Sequence, residues 1–340
     1  MKRVLCLLLA CLLLGGCAVD GNVPEKKIYE ATFLSLFDTV TVIKGAAESK
    51  EAFSEIASAI HDELEIYHRL FDVYNEYEGI NNLKTVNDCA GIEAVKVDRK
   101  IVDMLLDCKT YYTLTGGKVN VALGSVLRLW HIARSDSIND PMNAYLPDMG
   151  RLVNASKHTD LNAVIIDEAE STVYISDPDV RLDVGAVAKG WSVQRVAEYA
   201  PSGLLISVGG NVCATGPKDK SGTPWVVGIQ NPGGGDYLHT IYVSDVSVVT
   251  SGDYQRYYEV DGKCYHHIID PKTLHPSDYW RSVTIVCDDS GLADALSTAL
   301  FLIPLEDGRA LLTQCGAEAM WVDADGNQYY SPGFEALIRT

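Results

Sequence analysis

Between residues 162 and 287 the chain falls into short apolar, β-branched stretches separated by glycine, proline, asparagine and aspartate. That punctuation limits the fold more than any other feature. Residues 162–167, 172–176, 204–208, 225–230, 238–243, 255–260, 264–269 and 282–287 read as strands, each too short for an ordinary helix. Asp261-Gly262, between two of them, is a tight-hairpin signal. Helical patterns intervene at about 186–200 and 291–303. Upstream, Asp38 to Lys44 alternates as a strand does. Phe53, Ile56, Ile60, Leu64, Tyr67 and Phe71 recur at helical spacing across 48–71. Ile101, Met104, Leu105, Cys108 and Tyr112 mark a second helix over 98–114, closed by Gly116-Gly117. Residues 132–150, with Pro141 and Pro147 among turn formers, read as a surface excursion. Strands in runs with interspersed helices predict an α+β fold of mixed or antiparallel sheets with flanking helices. No repeat and no internal linker is visible, so one folded unit is expected from about residue 31 to 340.

Charge narrows the function. The chain carries 46 acidic against 28 basic residues, a net −18, and so lacks the clustered cations that neutralise a nucleic-acid backbone. With 47% hydrophobic residues it has ample material for a core.

The N-terminus reads as an address. Lys2 and Arg3 precede the apolar run Val4 to Leu14, which is shorter than the ~20 residues a membrane-spanning helix needs. A basic start, a short apolar stretch and Gly15-Gly16-Cys17 form an export signal over residues 1–16. Leu14-Gly15-Gly16-Cys17 also resembles a bacterial lipobox, which implies acylation of Cys17. Residues 17–30 would then be a lipidated tether on the extracytoplasmic side of the cell membrane. The cysteines of the folded unit, Cys89, Cys108, Cys213, Cys264, Cys287 and Cys315, are widely spaced without a C-x-x-C pair, so neither zinc ligation nor pairing is expected.

Four segments carry candidate chemistry. Asn120-Val121-Ala122-Leu123-Gly124-Ser125 reads as a short strand broken at a glycine, suited to close approach by a ligand or to a tight turn. Arg181-Leu182-Asp183-Val184-Gly185-Ala186-Val187-Ala188-Lys189-Gly190 places a carboxylate and an ammonium about a Gly-Ala turn at a helix start, where phosphates bind. An N-cap aspartate with a solvated lysine is the plainer alternative. Its order fits neither a Walker A loop nor a G-x-G-x-x-G turn. Thr250-Ser251-Gly252-Asp253 is followed by His267-Ile268-Ile269-Asp270-Pro271, in which a histidine near an aspartate is either an acid–base group or a structural one. In Leu292-Ala293-Asp294-Ala295-Leu296-Ser297-Thr298, Asp294 and Thr298 stand four apart on a helix. That oxygen-only pair suits Mg²⁺, or else a helix-terminal charge and a back-bonding threonine. Asp323-Ala324-Asp325-Gly326-Asn327 opens like an EF-hand loop but has Phe334 where glutamate is required, and reads as a hairpin turn.

Together with Ser207-Val208-Gly209-Gly210-Asn211, these ordered segments resemble the FAD:protein FMN transferase family, also called the ApbE family, over essentially the whole mature chain. The resemblance implies that Phe37, Tyr74, Ala122, Leu123, Gly124, Asp183 and Lys189 contact FAD. It also implies that the Ala186 carbonyl, Asp294 and Thr298, with Ser297 as a lesser candidate, bind Mg²⁺, and that His267 is the essential histidine. The Met-Gly-Thr usual near the first strand is Phe37-Asp38-Thr39 here, the loop after Tyr74 lacks the usual Asp-Ser pattern, and His275 stands in a Thr273-Leu274-His275-Pro276 turn where Thr-Gly is usual.

The implied reaction moves FMN from FAD onto a threonine hydroxyl of a partner protein and releases AMP, with His267 or Asp270 taking the proton. Rnf- or Nqr-type membrane electron-transfer subunits would be the partners. A Mg²⁺-dependent FAD pyrophosphatase and a non-catalytic FAD-binding lipoprotein are the alternatives.

Overall fold

The computed structural model describes residues 27–34 and 36–339; the expected export signal, Cys17 and most of the tether lie outside them. The chain is already strand before residue 31. β1 (Lys27–Leu34) pairs antiparallel with β2 (Val40–Ala47) along its whole length, Lys27 opposite Ala47. Its inward side chains lie on α1 (Lys50–Phe71), Tyr29 against Phe53 and Phe33 against His61, while the other face is exposed. The expected boundary therefore falls inside a strand.

α1 begins where the Ser49 hydroxyl accepts from the Ala52 N–H at 3.1 Å, and it buries Phe53, Ala57, Ile60, Leu64, Tyr67 and Phe71. The short helix α2 (Leu83–Asp88) and strand β3 (Val95–Lys96) lead to α3 (Arg99–Leu114), as the spacing predicts. Residues 120–125 form the tight turn that the glycine also suited, running into the first residues of a helix in place of a strand. That helix, α4 (Gly124–Asn139), also runs through much of the expected surface excursion, followed by α5 (Met149–Ala155). α4 is held by the buried Val126, Trp130 and Ala133, and the Trp130 indole N–H donates to the Leu274 carbonyl at 2.9 Å.

The remaining elements are β4 (Val164–Asp167), β5 (Thr172–Ile175), α6 (Ala188–Tyr199), β6 (Leu204–Val208), β7 (Asn211–Ala214), β8 (Trp225–Ile229), β9 (His239–Val243), β10 (Ser247–Gly252), β11 (Tyr257–Val260), β12 (Lys263–His266), β13 (Ser282–Cys287), α7 (Ser290–Phe301), α8 (Leu305–Leu312), β14 (Glu318–Val322) and β15 (Gln328–Tyr330). Eight strands form the main sheet in the order β1-β2-β6-β7-β10-β13-β14-β15. Every pair in it is antiparallel. The Asp261-Gly262 turn joins β11 to β12 with φ 51° and 77°, as a tight hairpin requires. Asp323 closes the β14–β15 turn, its Oδ1 accepting from Asp325 and Asn327 at 2.9 Å.

β13 is buried at every position because both sheet faces are covered. Val283 and Ile285 lie in the core that contains α1, α3, α6 and α7 residues, and Val286 lies in a second core with Trp225, Ile241 and Phe334. The six cysteines of the described residues are free thiols.

Candidate active site

The site lies where α6 crosses α7. Gly190 permits the crossing, since a Cβ there would collide with the Ser290 carbonyl and stand 2.5 Å from Asp294 Cβ. Its N–H donates to Asp294 Oδ2 at 2.9 Å, and Lys189 Nζ stands 3.7 Å from the same oxygen. Two segments more than a hundred residues apart thus meet at one carboxylate.

A cleft of about 760 Å³ opens from this junction. Phe37, Tyr74, Leu123, Asp183, Ala186, Lys189, His267, Asp294 and Thr298 all line it. Ala122, Gly124, Ser297 and Asp270 are not in its lining, and each has another role. Ala122 is fully buried, its N–H donating to Asn120 Oδ1 at 2.9 Å. Gly124 donates to the Arg181 carbonyl at 3.0 Å, and a Cβ on it would overlap that carbonyl, so its smallness serves backbone packing. Ser297 is spent inside the protein, donating to the Asp294 carbonyl and bonding Ser251 Oγ, both at 2.8 Å. Asp270 takes Lys118 Nζ at 2.9 Å and the Lys272 N–H at 2.7 Å, which pins the turn after β12.

Asp183 is placed by backbone pairing. Its N–H donates to the Val121 carbonyl at 2.8 Å, and the buried Asn87 side chain brackets Leu182 N and O at 2.7 and 3.0 Å. Burial raises the Asp183 carboxyl above the usual carboxylate range, opposed by the Gly185 N–H and by His131 and Arg256. Burial likewise raises Asp294, opposed by Lys189 and the Gly190 N–H. Burial, rather than a lack of neighbouring cations, is what raises both.

Asp294, Thr298 and Ala186 line one cleft, and a carboxylate, a hydroxyl and a main-chain carbonyl are the oxygen donors that a hard divalent cation takes.

The adjacent histidines separate cleanly. His266 uses both ring nitrogens, Nε2 on the Ser277 carbonyl at 2.6 Å and Nδ1 accepting from Ile268 N–H at 3.2 Å. His267 uses one: Nδ1 faces the Arg256 carbonyl at 3.1 Å. A carbonyl only accepts, so Nδ1 carries the proton, and the neutral ring leaves Nε2 with its lone pair. Surrounding protein, with Arg256 and His266 nearby, holds the His267 pKa down to about 3 although the ring opens onto the cleft.

The mouth is aromatic. Tyr74 stacks on His131 at 4.9 Å, and burial with Asp183 pushes its phenol up to about 12. Asp72 fixes the loop by accepting from the Tyr74 and Asn75 N–H groups at 2.7 and 3.0 Å. Phe37 and Asp38 both have positive φ, 52° and 55°, and the Phe37 N–H donates to His68 Nδ1 at 3.2 Å. The glycine usual at the second of these positions would adopt that backbone without strain.

Residue patterns did not reveal His68, His131, Arg134, Arg256 or Asn211 as cleft groups. Asn211 is buried behind the Gly209-Gly210 turn with Nδ2 unbonded among the described residues. Only the Gly-Gly pair, whose φ values of 55° and 92° turn β6 into β7, signals it.

The fold is that of solved flavin transferases. Flavin Transferase ApbE from Vibrio cholerae aligns at a TM-score of 0.74 and 21% identity, covering 92% of this chain and 99% of that one. The ApbE protein from Thermotoga maritima MSB8 aligns at 0.81 and 30% identity, covering 92% and 100%. Residues 37–321 match the ApbE family, and the chain belongs to it. A protein of Treponema pallidum named FAD:protein FMN transferase is 30% identical over 97% of this chain and 94% of its own length. One of the same name from Klebsiella pneumoniae is 31% identical over 75% and 80%.

Proposed function

We propose that this chain is a Mg²⁺-dependent FAD:protein FMN transferase that esterifies a threonine hydroxyl of a partner protein and releases AMP. The observation that carries the reading is the convergence of Asp183, Lys189, Asp294, Thr298 and His267 on one cleft. Lys189 and the start of α6 receive the negative diphosphate, and Asp183 and the Tyr74–His131 stack border the remaining length of the dinucleotide. Asp294, Thr298 and the Ala186 carbonyl would hold the cation, which supplies charge neutralisation to the diphosphate when bound. His267 Nε2 takes the proton as the acceptor oxygen bonds to the FMN phosphorus and the P–O bond to AMP breaks. Asp270 is paired with Lys118 and stands outside the cleft lining, which supports His267 as the base in this reading.

Lipid on Cys17 would keep the enzyme at the extracytoplasmic membrane face, beside membrane electron-transfer subunits of the Rnf or Nqr type as acceptors. The test incubates the protein with FAD, Mg²⁺ and such a subunit, then reads AMP and the acceptor's mass. An acceptor gaining one FMN at threonine is expected. AMP without acceptor would mean hydrolysis instead. Asp294→Ala should lower transfer by about 10²–10³-fold while FAD still binds; unchanged turnover would refute the assignment of Asp294.

A further inference from the structure

Four cationic side chains line the cleft: Lys118, Arg134, Lys189 and Arg256. Lys118 is paired with Asp270 and Lys189 with Asp294. Arg134 and Arg256 enter no ion pair among the described residues, although 46 acidic residues are available to this chain. Each has only a long contact to a neutral group: Arg134 Nη2 to His131 Nδ1 at 3.4 Å, and Arg256 Nη2 to the Phe37 carbonyl at 3.5 Å. They also repel each other, since burial and the charge of Arg256 together pull the Arg134 pKa down.

Two guanidiniums without an ion pair among the described residues share the cleft with the Asp183 carboxylate, whose pKa Arg256 lowers against the effect of burial, and their planar forks match phosphate oxygens. Arg256 is also tied to the candidate base. Its carbonyl accepts from both the main-chain N–H and Nδ1 of His267, each at 3.1 Å. Arg256 and His267 are thus joined through the main chain and line the same cleft.

We propose that Arg134 and Arg256 form a phosphate subsite for the dinucleotide, with Arg256 the catalytic residue that holds the non-bridging oxygens of the transferring phosphoryl group. The inference rests on the FMN-transfer reading and adds residues to it. The acceptor oxygen bonds to phosphorus, its proton goes to His267 Nε2, and AMP leaves with the bridging oxygen and its electron pair. Arg256 meets the charge on the phosphoryl oxygens throughout.

The experiment uses the full chain and two probes, FAD and riboflavin, the latter lacking phosphate. In flavin-fluorescence titrations, Arg134→Gln/Arg256→Gln should weaken FAD by about 10–100-fold, the range of one or two charge-assisted bonds, and leave riboflavin within about twofold. Equal weakening of both ligands, or no change for FAD, overturns the subsite. At saturating FAD, Arg256→Gln should slow AMP release by about 10²–10³-fold, and Arg256→Lys, which keeps charge but not the fork, by less. A rise confined to the acceptor's KM would instead place the guanidinium on an acceptor carboxylate and overturn the catalytic role. If the parent protein transfers no flavin to any acceptor, the transferase reading fails while the two-ligand titration still decides the subsite.

Discussion

At the scale of single residues, the site is governed by which polar groups are already spent. His266 and His267 are neighbours of one residue type, yet one has both nitrogens bonded and the other keeps a lone pair. Sequence could nominate the pair with Asp270, but the ion pair that removes Asp270 comes from Lys118, 152 positions away. No local pattern carries that partner. The same holds for Arg134 and Arg256, which only the fold brings into one cleft without an ion pair among the described residues. His267 has a consequence for acid stability. Its folded pKa is depressed to about 3 from an ordinary value near 6.5, so the unfolded chain binds a proton that the native ring refuses. Its stabilising contribution is therefore present above about pH 6.5 and is lost as pH falls from there toward 3. His267→Ala should lose less thermal stability than the parent between pH 6.5 and 4. Melting curves with identical acid slopes would contradict this.

Elements with a strong period were legible, and those fixed by distant partners were not. The α1 stripe and the continuous apolar β13 declare themselves in sequence, the latter because both faces are covered. α4 was hidden: it starts at a glycine, has no side-chain cap, and buries only a thin line of residues against Leu274 and its neighbours. β1 was missed because one of its faces is exposed and its partner lies beyond a left-handed turn at Phe37-Asp38. The α6–α7 crossing is the element contact that brings Lys189 and Gly190 to Asp294. Gly190→Ala should force the helices apart and lower stability by about 1–3 kcal/mol, as overpacking does. Because Gly190 N–H then leaves Asp294, transfer should fall together with the melting temperature. Normal activity at a reduced melting temperature would show that the crossing need not be this tight.

Across the whole molecule, the order of the motifs along the chain was readable, and their convergence was not. The resemblance fixes which segments matter; the sheet order β2-β6-β7-β10-β13, with α6 and α7 crossing at Gly190, explains why they meet. Among the described residues no helix is long and apolar enough to cross a membrane, and the lipid proposed on Cys17 would be a separate means of attachment. Cys17→Ser should move the protein from the membrane fraction to the soluble fraction and abolish palmitate labelling. Retention on membranes would point to another anchor.

The main sheet places strands from the beginning and the end of the chain in one continuous ladder, and the cleft draws its walls from Phe37 through Leu302. A nascent polypeptide arrested anywhere short of α7 lacks Asp294 and Thr298 altogether. The cleft is consequently complete only once α7, which starts at Ser290 of 340 residues, has joined the rest of the fold.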